Sequence, residues 1–234
     1  MKESRNDMPF EQILPENIKI EYDRWLRLAT ADPQLISELQ TMTDSQIEDA
    51  FYKDLEFGTA GLRGVMGAGT NRMNIYTVAR ASACLAEHLL SQYGGRASVV
   101  IGYDSRRNSD LFARTAAAVF AKKGLKVYLW PHLYPVPFVS FSVRHLKASA
   151  GIMITASHNP AEYNGYKVYG PDGCQITEAV ADDVMRRLRR TDALMALPVQ
   201  STVALPFEGL IEPVDPSVTD AFMKQIRSCS VLYG

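Results

Sequence analysis

Three stretches of this 234-residue chain hold residue types that could handle a phosphate. The first is Thr155-Ala156-Ser157-His158-Asn159-Pro160, continuing to Glu162-Tyr163-Asn164-Gly165-Tyr166-Lys167. The others are Asp104-Ser105-Arg106-Arg107-Asn108-Ser109 and Phe57-Gly58-Thr59-Ala60-Gly61-Leu62-Arg63-Gly64. If they converge, Arg63, Arg106, Lys167, His158 and Ser157 surround one crevice. Arginine offers a planar fork of donors and lysine a compact charge, which suits phosphate. A serine hydroxyl is a weak nucleophile without an adjacent base. The residues alone do not choose among Ser157, Thr155 and Ser105. His158 follows Ser157 directly, and neighbouring side chains diverge, so it is not an obvious base. With Thr155 and Asn159 where a hydrolase elbow needs glycines, that mechanism fails on its own motif.

Periodicity outlines the elements that must position these loops. Glu16–Ala29, Pro33–Thr41 and Ser45–Leu55 place apolar residues at three- and four-residue steps, predicting amphipathic helices. Asp32 before Pro33, and Thr43 or Asp44 before the third segment, suit N-caps. These helices form an N-terminal extension, 1–56, expected to pack on a core formed later. From Asn74, residues Ile75, Val78, Ser82, Leu85, Ala86 and Leu89 share a helical face that ends at Gly94-Gly95. Then follow a strand at Ser98–Tyr103, a helix at Ser109–Lys123, a strand at Leu125–Trp130, a helix near Phe138–Leu146 and a strand at Ala150–Ile154. That β-α-β-α-β alternation predicts an α/β fold, a mixed, mostly parallel sheet covered by helices. Ligands of such sheets bind beyond the carboxyl ends of the strands, where two of the three loops fall.

Tyr166–Tyr169 predicts a further strand and Gln175–Arg190 a further helix, with a boundary at Asp192–Ser201. Val203–Ile211 (strand) and Pro216–Ser228 (helix) cannot bury a core alone. The main α/β domain is therefore expected at 57–202, and 203–234 as the beginning of a second, similar, truncated domain. Its apolar residues predict weak anchoring, or association with another chain.

Basic and acidic residues number 25 and 26, a formal charge of −1, which argues against nucleic acid as partner. Apolar stretches fall short of the ~20 residues that span a bilayer, so no membrane partner is expected, and the polar start resembles no signal segment. Cys84, Cys174 and Cys229 suggest neither a disulfide framework nor zinc, which points to the cytoplasm. The run Arg186-Arg187-Leu188-Arg189-Arg190 reads as a solvated helix end, where cations complement the dipole. His88, His132 and His145 show no ligand spacing. Gly64-x-x-Gly67-x-Gly69 lacks the following helix that a dinucleotide loop needs.

The run Thr155–Pro160 resembles the phosphoserine loop of the α-D-phosphohexomutase family, the phosphoglucomutases and phosphomannomutases. Asn164-Gly165-Tyr166-Lys167 follows at that family's distance. Gly61-Leu62-Arg63-Gly64 and Gly102-Tyr103-Asp104-Ser105-Arg106 resemble its two arginine loops. Gly67-Ala68-Gly69-Thr70-Asn71-Arg72-Met73-Asn74 looks most like the branch of bacterial phosphoglucomutases and phosphopentomutase-like enzymes. The likeness runs from about Glu16 to the end. It implies a phosphoryl group carried on Ser157, exchanged with a sugar monophosphate through a bisphosphate. It implies acid/base roles for His158 and Lys167, phosphate contacts for Arg63 and Arg106, and one Mg²⁺ bound through the Ser157 phosphate, with a sugar bisphosphate as activator. The family's Asp-Gly-Asp-x-Asp-Arg metal run does not occur here. The expectation is thus an N-terminal mutase fragment, inactive alone, with glucose phosphate the first substrate and mannose or pentose phosphate the rivals. The alternative is a non-catalytic sugar-phosphate or protein-binding module.

Overall fold

A computed structural model describes residues 14–197 and 209–231. Helices α1 (Glu16–Leu28), α2 (Pro33–Thr41) and α3 (Asp44–Phe51) come first. Asp32 accepts the Gln34 N–H at 2.9 Å, with Pro33 opening α2, and Thr43 forms a capping box with Gln46 over α3. Trp25 of α1 packs against Phe51 of α3 and Tyr76 of α4 (Ile75–Tyr93). Trp25 is fully buried and meets the Tyr76 ring edge-on at 5.4 Å. The Tyr76 hydroxyl in turn accepts the Ala31 N–H at 2.8 Å.

Strand β1 (Leu62–Val65) precedes α4; β2 (Ser98–Tyr103), α5 (Ser109–Lys122), β3 (Lys126–Leu129), α6 (Val136–His145) and β4 (Ala150–Ile154) follow. Then come β5 (Tyr163–Tyr169), α7 (Glu178–Leu188), the short α8 (Ala193–Ala196), β6 (Ile211–Pro213) and α9 (Pro216–Ser228). The six strands lie in the order β1-β5-β4-β2-β3-β6. Strands β4, β2, β3 and β6 pair in parallel, whereas β5 runs against both of its neighbours. Successive residues of β2 face opposite layers, as the two-residue strand period requires. Val99 and Ile101 join α4 and α5 in the larger core, and Val100 joins Val139 and Val143 of α6 in the smaller. This is the expected α/β architecture. No helix among the described residues is long and apolar enough to cross a membrane.

Two strands depart from the sequence reading. Gly61–Gly64 reads as a loop, yet Leu62–Val65 is an edge strand on β5, and β5 begins at Tyr163. Glycine weakens strand propensity, but here glycines let backbones approach closely. Gly61 has φ +82°, and a Cβ on it would lie 1.8 Å from the Tyr166 carbonyl oxygen; one on Gly165 would lie 2.6 Å from that of Thr155.

The C-terminal segment also differs. Most of the expected strand Val203–Ile211 lies outside the described residues. Its end continues into β6, which pairs with β3 on this same sheet. Without β6, the backbone of β3 would be an unpaired edge. Instead the Val127 N–H donates to Leu210 O at 2.7 Å and the Val214 N–H to Leu129 O at 3.0 Å. Val214 and Val218 are buried, and Phe222 of α9 stacks 4.1 Å from Phe138 of α6. Residues 211–228 are therefore anchored on this sheet, against the expectation of a loose tail.

With its indole buried between Phe51 of the extension and Tyr76 of α4, Trp25 is expected to make the two unfold together. Trp25→Ala should destabilise the chain by about 3–5 kcal/mol, measured by urea unfolding followed by circular dichroism. A change below about 1 kcal/mol, the size of an ordinary surface substitution, would show that the extension is dispensable.

Where α7 crosses α4, the Asp183 carboxylate accepts from His88 Nδ1 at 2.8 Å, Arg187 Nε at 2.9 Å and Arg186 Nη2 at 2.8 Å. The His88 hydrogen bond, then those from Arg187 and Arg186, hold its pKa well below the usual carboxylate range, against a small opposing effect of burial. A depressed carboxylate stabilises the fold above its unfolded pKa of about 3.9, and that contribution fades as pH falls toward the folded value. Asp183→Asn should therefore lower stability at pH 7, with the gap closing below pH ~4. Chemical denaturation of both proteins between neutral and acidic pH checks this, and a pH-independent gap would refute it.

Candidate active site

The parallel register sets β2 beside β4, with Tyr103 opposite Ile154, so the loops leaving both strands start side by side. Asp104 N–H donates to Ile154 O at 3.2 Å. Strand β5 returns antiparallel with Lys167 opposite Met153, and β1 sets Arg63 opposite Gly165. All three loops singled out in the sequence thus meet at the carboxyl end of β2 and β4.

At their centre Ser157 is exposed, with φ +55°. A non-glycine residue there is uncommon, and such strain is of order 1–3 kcal/mol. Lys167 Nζ donates to Ser157 Oγ at 2.7 Å. Burial and the Arg63 guanidinium push the Lys167 pKa below its ordinary value, with Asp104 pulling the other way. Arg63 is exposed, and its Nη1 donates to Asn159 Oδ1 at 3.0 Å. His158 is exposed and makes no hydrogen bond among the described residues.

Arg106 does not sit as a phosphate ligand would. Its Nη1 donates to the carbonyls of Pro160 (2.9 Å) and Tyr163 (3.1 Å), and its Nη2 to those of Ser157 and Asn159 (2.6 Å each). The expectation that Arg106 contacts phosphate meets a guanidinium whose terminal nitrogens are engaged by the serine loop.

Other contributors carried no assigned role in the sequence. Asp104 Oδ1 accepts from the Arg106 N–H (3.0 Å) and Ser109 Oγ (2.9 Å), and its Oδ2 accepts from Thr155 Oγ1 (2.5 Å). Thr155 Oγ1 accepts the Ser157 N–H at 2.9 Å. Buried Asn164 donates to Arg107 O and Ser109 Oγ. Buried polar groups need partners, so polar residues closing apolar strands were the available signal. The Gly67–Asn74 segment serves architecture. Asn74 caps α4 through the Tyr76 and Thr77 N–H groups, and its amide donates to the carbonyls of Gly67 and Gly69.

A crevice of about 750 Å³, lined by Arg106, Arg107, Ser157 and Asn159 among others, opens on the serine. A second, of about 820 Å³, includes Arg63, Arg72, Tyr163 and Arg189. The arrangement can hold an anion at Ser157 Oγ against Lys167 and Arg63 and deliver or remove a proton there. Magnesium needs several oxygen ligands, carboxylates among them. No group of three or more His, Cys, Asp or Glu suited to a metal exists among the described residues. The crevice at Ser157 holds two carboxylates, Asp104 and Glu162, and Asp104 is engaged by Thr155, Ser109 and its own loop. These residues do not by themselves fit a magnesium site.

Residues 54–195, more than half the chain, match the family described as phosphoglucomutase/phosphomannomutase, alpha/beta/alpha domain I. A Schizosaccharomyces pombe protein named a probable phosphoribomutase is 45% identical over 73% of this chain and 28% of its own length. A Staphylococcus haemolyticus phosphoglucomutase is 36% identical over 88% of this chain and 37% of its own. A Thermus thermophilus crystal structure described as a phosphomannomutase superposes with a TM-score of 0.60 at 32% identity, covering 76% of this chain and 37% of that one. The chain spans about a third of the length of these relatives.

Arg63→Ala should raise the Lys167 pKa toward the ordinary lysine value of about 10.4, because it removes a neighbouring positive charge. Heteronuclear NMR titration of the Lys167 side chain measures this; an unchanged value would mean burial alone sets the shift.

Proposed function

The chain belongs to the phosphoglucomutase/phosphomannomutase family, and on that premise we propose that it is the phosphoserine-bearing domain of a sugar-phosphate mutase. The reaction is the interconversion of hexose 1-phosphate and hexose 6-phosphate, with glucose as the sugar. The observation carrying this reading is the 2.7 Å contact of Lys167 Nζ with Ser157 Oγ on an exposed, left-handed turn. In the forward transfer, the bond from phosphorus to Ser157 Oγ breaks as one forms to a sugar hydroxyl oxygen. Lys167 returns a proton to Oγ, and the hydroxyl proton passes to a base, for which exposed His158 is the candidate. After the sugar bisphosphate reorients, each step reverses with the other phosphoryl group. Arg63 offsets the phosphoryl charge, an effect of about 3 kcal/mol for one well-placed donor. The phosphate on Ser157 is the one ligand this loop offers to Mg²⁺. A sugar bisphosphate activator and a cytoplasmic location belong to the same reading, the latter supported by three unpaired cysteines.

The 45% identity to a phosphoribomutase-named protein favours pentose phosphate as the second reading. The whole protein incubated with a hexose 1,6-bisphosphate and Mg²⁺ should gain one phosphoryl group, located on Ser157 by peptide mass spectrometry. Ser157→Ala should abolish uptake while keeping the fold, and Lys167→Ala should slow it about 100-fold or more. Phosphate on Thr155 or Ser105, with Ser157→Ala still active, would overturn the assignment. No uptake at all would favour the binding module. Relative rates with glucose and ribose phosphates decide the sugar.

A further inference from the structure

Ser157 Oγ meets Lys167 from a backbone that turns into the left-handed region. Two local contacts close that turn, the Ser157 N–H to Thr155 Oγ1 and the Asn159 N–H to Ala156 O. Serine gains little there, and the following loop makes few backbone bonds of its own: Asn159 N–H to Ala156 O at 3.1 Å and Tyr163 N–H to Pro160 O at 3.0 Å. Pro160 itself has no N–H to give. The carbonyls of Asn159 and Tyr163 are reached in part-buried contacts, where an acceptor without a partner is costly.

The Arg106 guanidinium collects four. A guanidinium is planar with fixed donor directions, and the two N–H groups on each terminal nitrogen reach the carbonyls of residues 157, 159, 160 and 163. The same loop holds Ser157 from its other side. Its N–H donates to Thr155 Oγ1, which donates to Asp104 Oδ2. Asp104 also accepts the Arg106 backbone N–H, tying both arms of the grip together. A phosphate bound by Arg106 would need at least two of these N–H groups and would take them from as many carbonyls of the serine loop.

We infer that Arg106 is a positioning residue: it clamps Ser157 through its carbonyl while Asp104, acting through Thr155, clamps it through its N–H, and it does not bind the substrate phosphate. This rests on the mutase reading for its functional meaning but not for its geometry. Lysine, with one ammonium and no fork, cannot replace it.

Two measurements separate the possibilities. Hydrogen exchange of this chain, read by mass spectrometry, should be at least tenfold faster over 156–165 in both Arg106→Lys and Arg106→Ala, with β2 and β3 unchanged. Arg106→Lys serves alone if the alanine variant does not fold. In the whole protein, phosphoryl uptake at saturating hexose 1,6-bisphosphate should fall at least tenfold in Arg106→Lys, while the half-saturating concentration stays within twofold. Unchanged exchange over 156–165, or weaker half-saturation with an unchanged maximal rate, would overturn the inference. If the wild-type protein takes up no phosphoryl group, the mutase reading fails and the exchange result still decides the clamp.

Discussion

A serine held in a left-handed turn is the constraint on which the rest of the site depends. Its hydroxyl projects toward Lys167 because φ is +55°. Strain of this size persists only when the surroundings over-determine it. Here they do so through the peptide groups on both sides of Ser157, each held by a side chain whose own polar atoms are in turn held.

The sheet supplies the precision. Strand pairing sets which residues stand abreast, and a one-residue slip would turn every side chain of a strand to its other face. Lys167 lies between Tyr166 and Val168, both fully buried, so the core fixes the register of β5 and with it the direction of the lysine. Tyr166 adds a polar lock, its hydroxyl 3.0 Å from that of buried Ser82 on α4. Arg63 is placed by the pairing of β1 with β5, and that pairing requires glycine at 61 and 165 for the backbones to come together. The N-terminal extension supports the arrangement from outside. Glu38 of α2 accepts the Ala68 N–H at 3.1 Å, just past β1.

Much of this was legible in the residues. The strands Ser98–Tyr103 and Ala150–Ile154 and the helix Pro33–Thr41 follow from apolar runs and caps, because burial and end-capping are local in sequence. Strand β1 was hidden, because it forms through a partner a hundred residues away and its glycines read as loop. The placement of β6 was hidden for the same reason: an edge on β3 is a property of the sheet, not of the segment that fills it. In the site, residue type pointed to Arg63, Arg106, Lys167, His158 and a serine as a set, the family resemblance chose Ser157 over Thr155 and Ser105, and the structure sets Lys167 against Ser157. It could not reveal that Arg106 faces backbone carbonyls, since an arginine in a polar loop looks alike whether it serves a ligand or its own chain.

The charges around Ser157 then acquire a direction. Burial and the like charge of Arg63 both depress the Lys167 pKa, and the nearby Asp104 has its oxygens engaged by Thr155, Ser109 and the Arg106 N–H. Gathering like charges beside a neutral hydroxyl destabilises the resting site. On the proposed reading, a phosphoryl group on Ser157 Oγ would bring roughly −1.5 to −2 charges and would convert the same repulsive field into attraction. Lys167 already meets Ser157 Oγ and Arg63 is tied to Asn159, and charges placed in advance act more strongly than charges that must reorganise. On the proposed reading, the hydroxyl that would carry the anion is the one that Lys167 meets and that the fold holds in a left-handed turn.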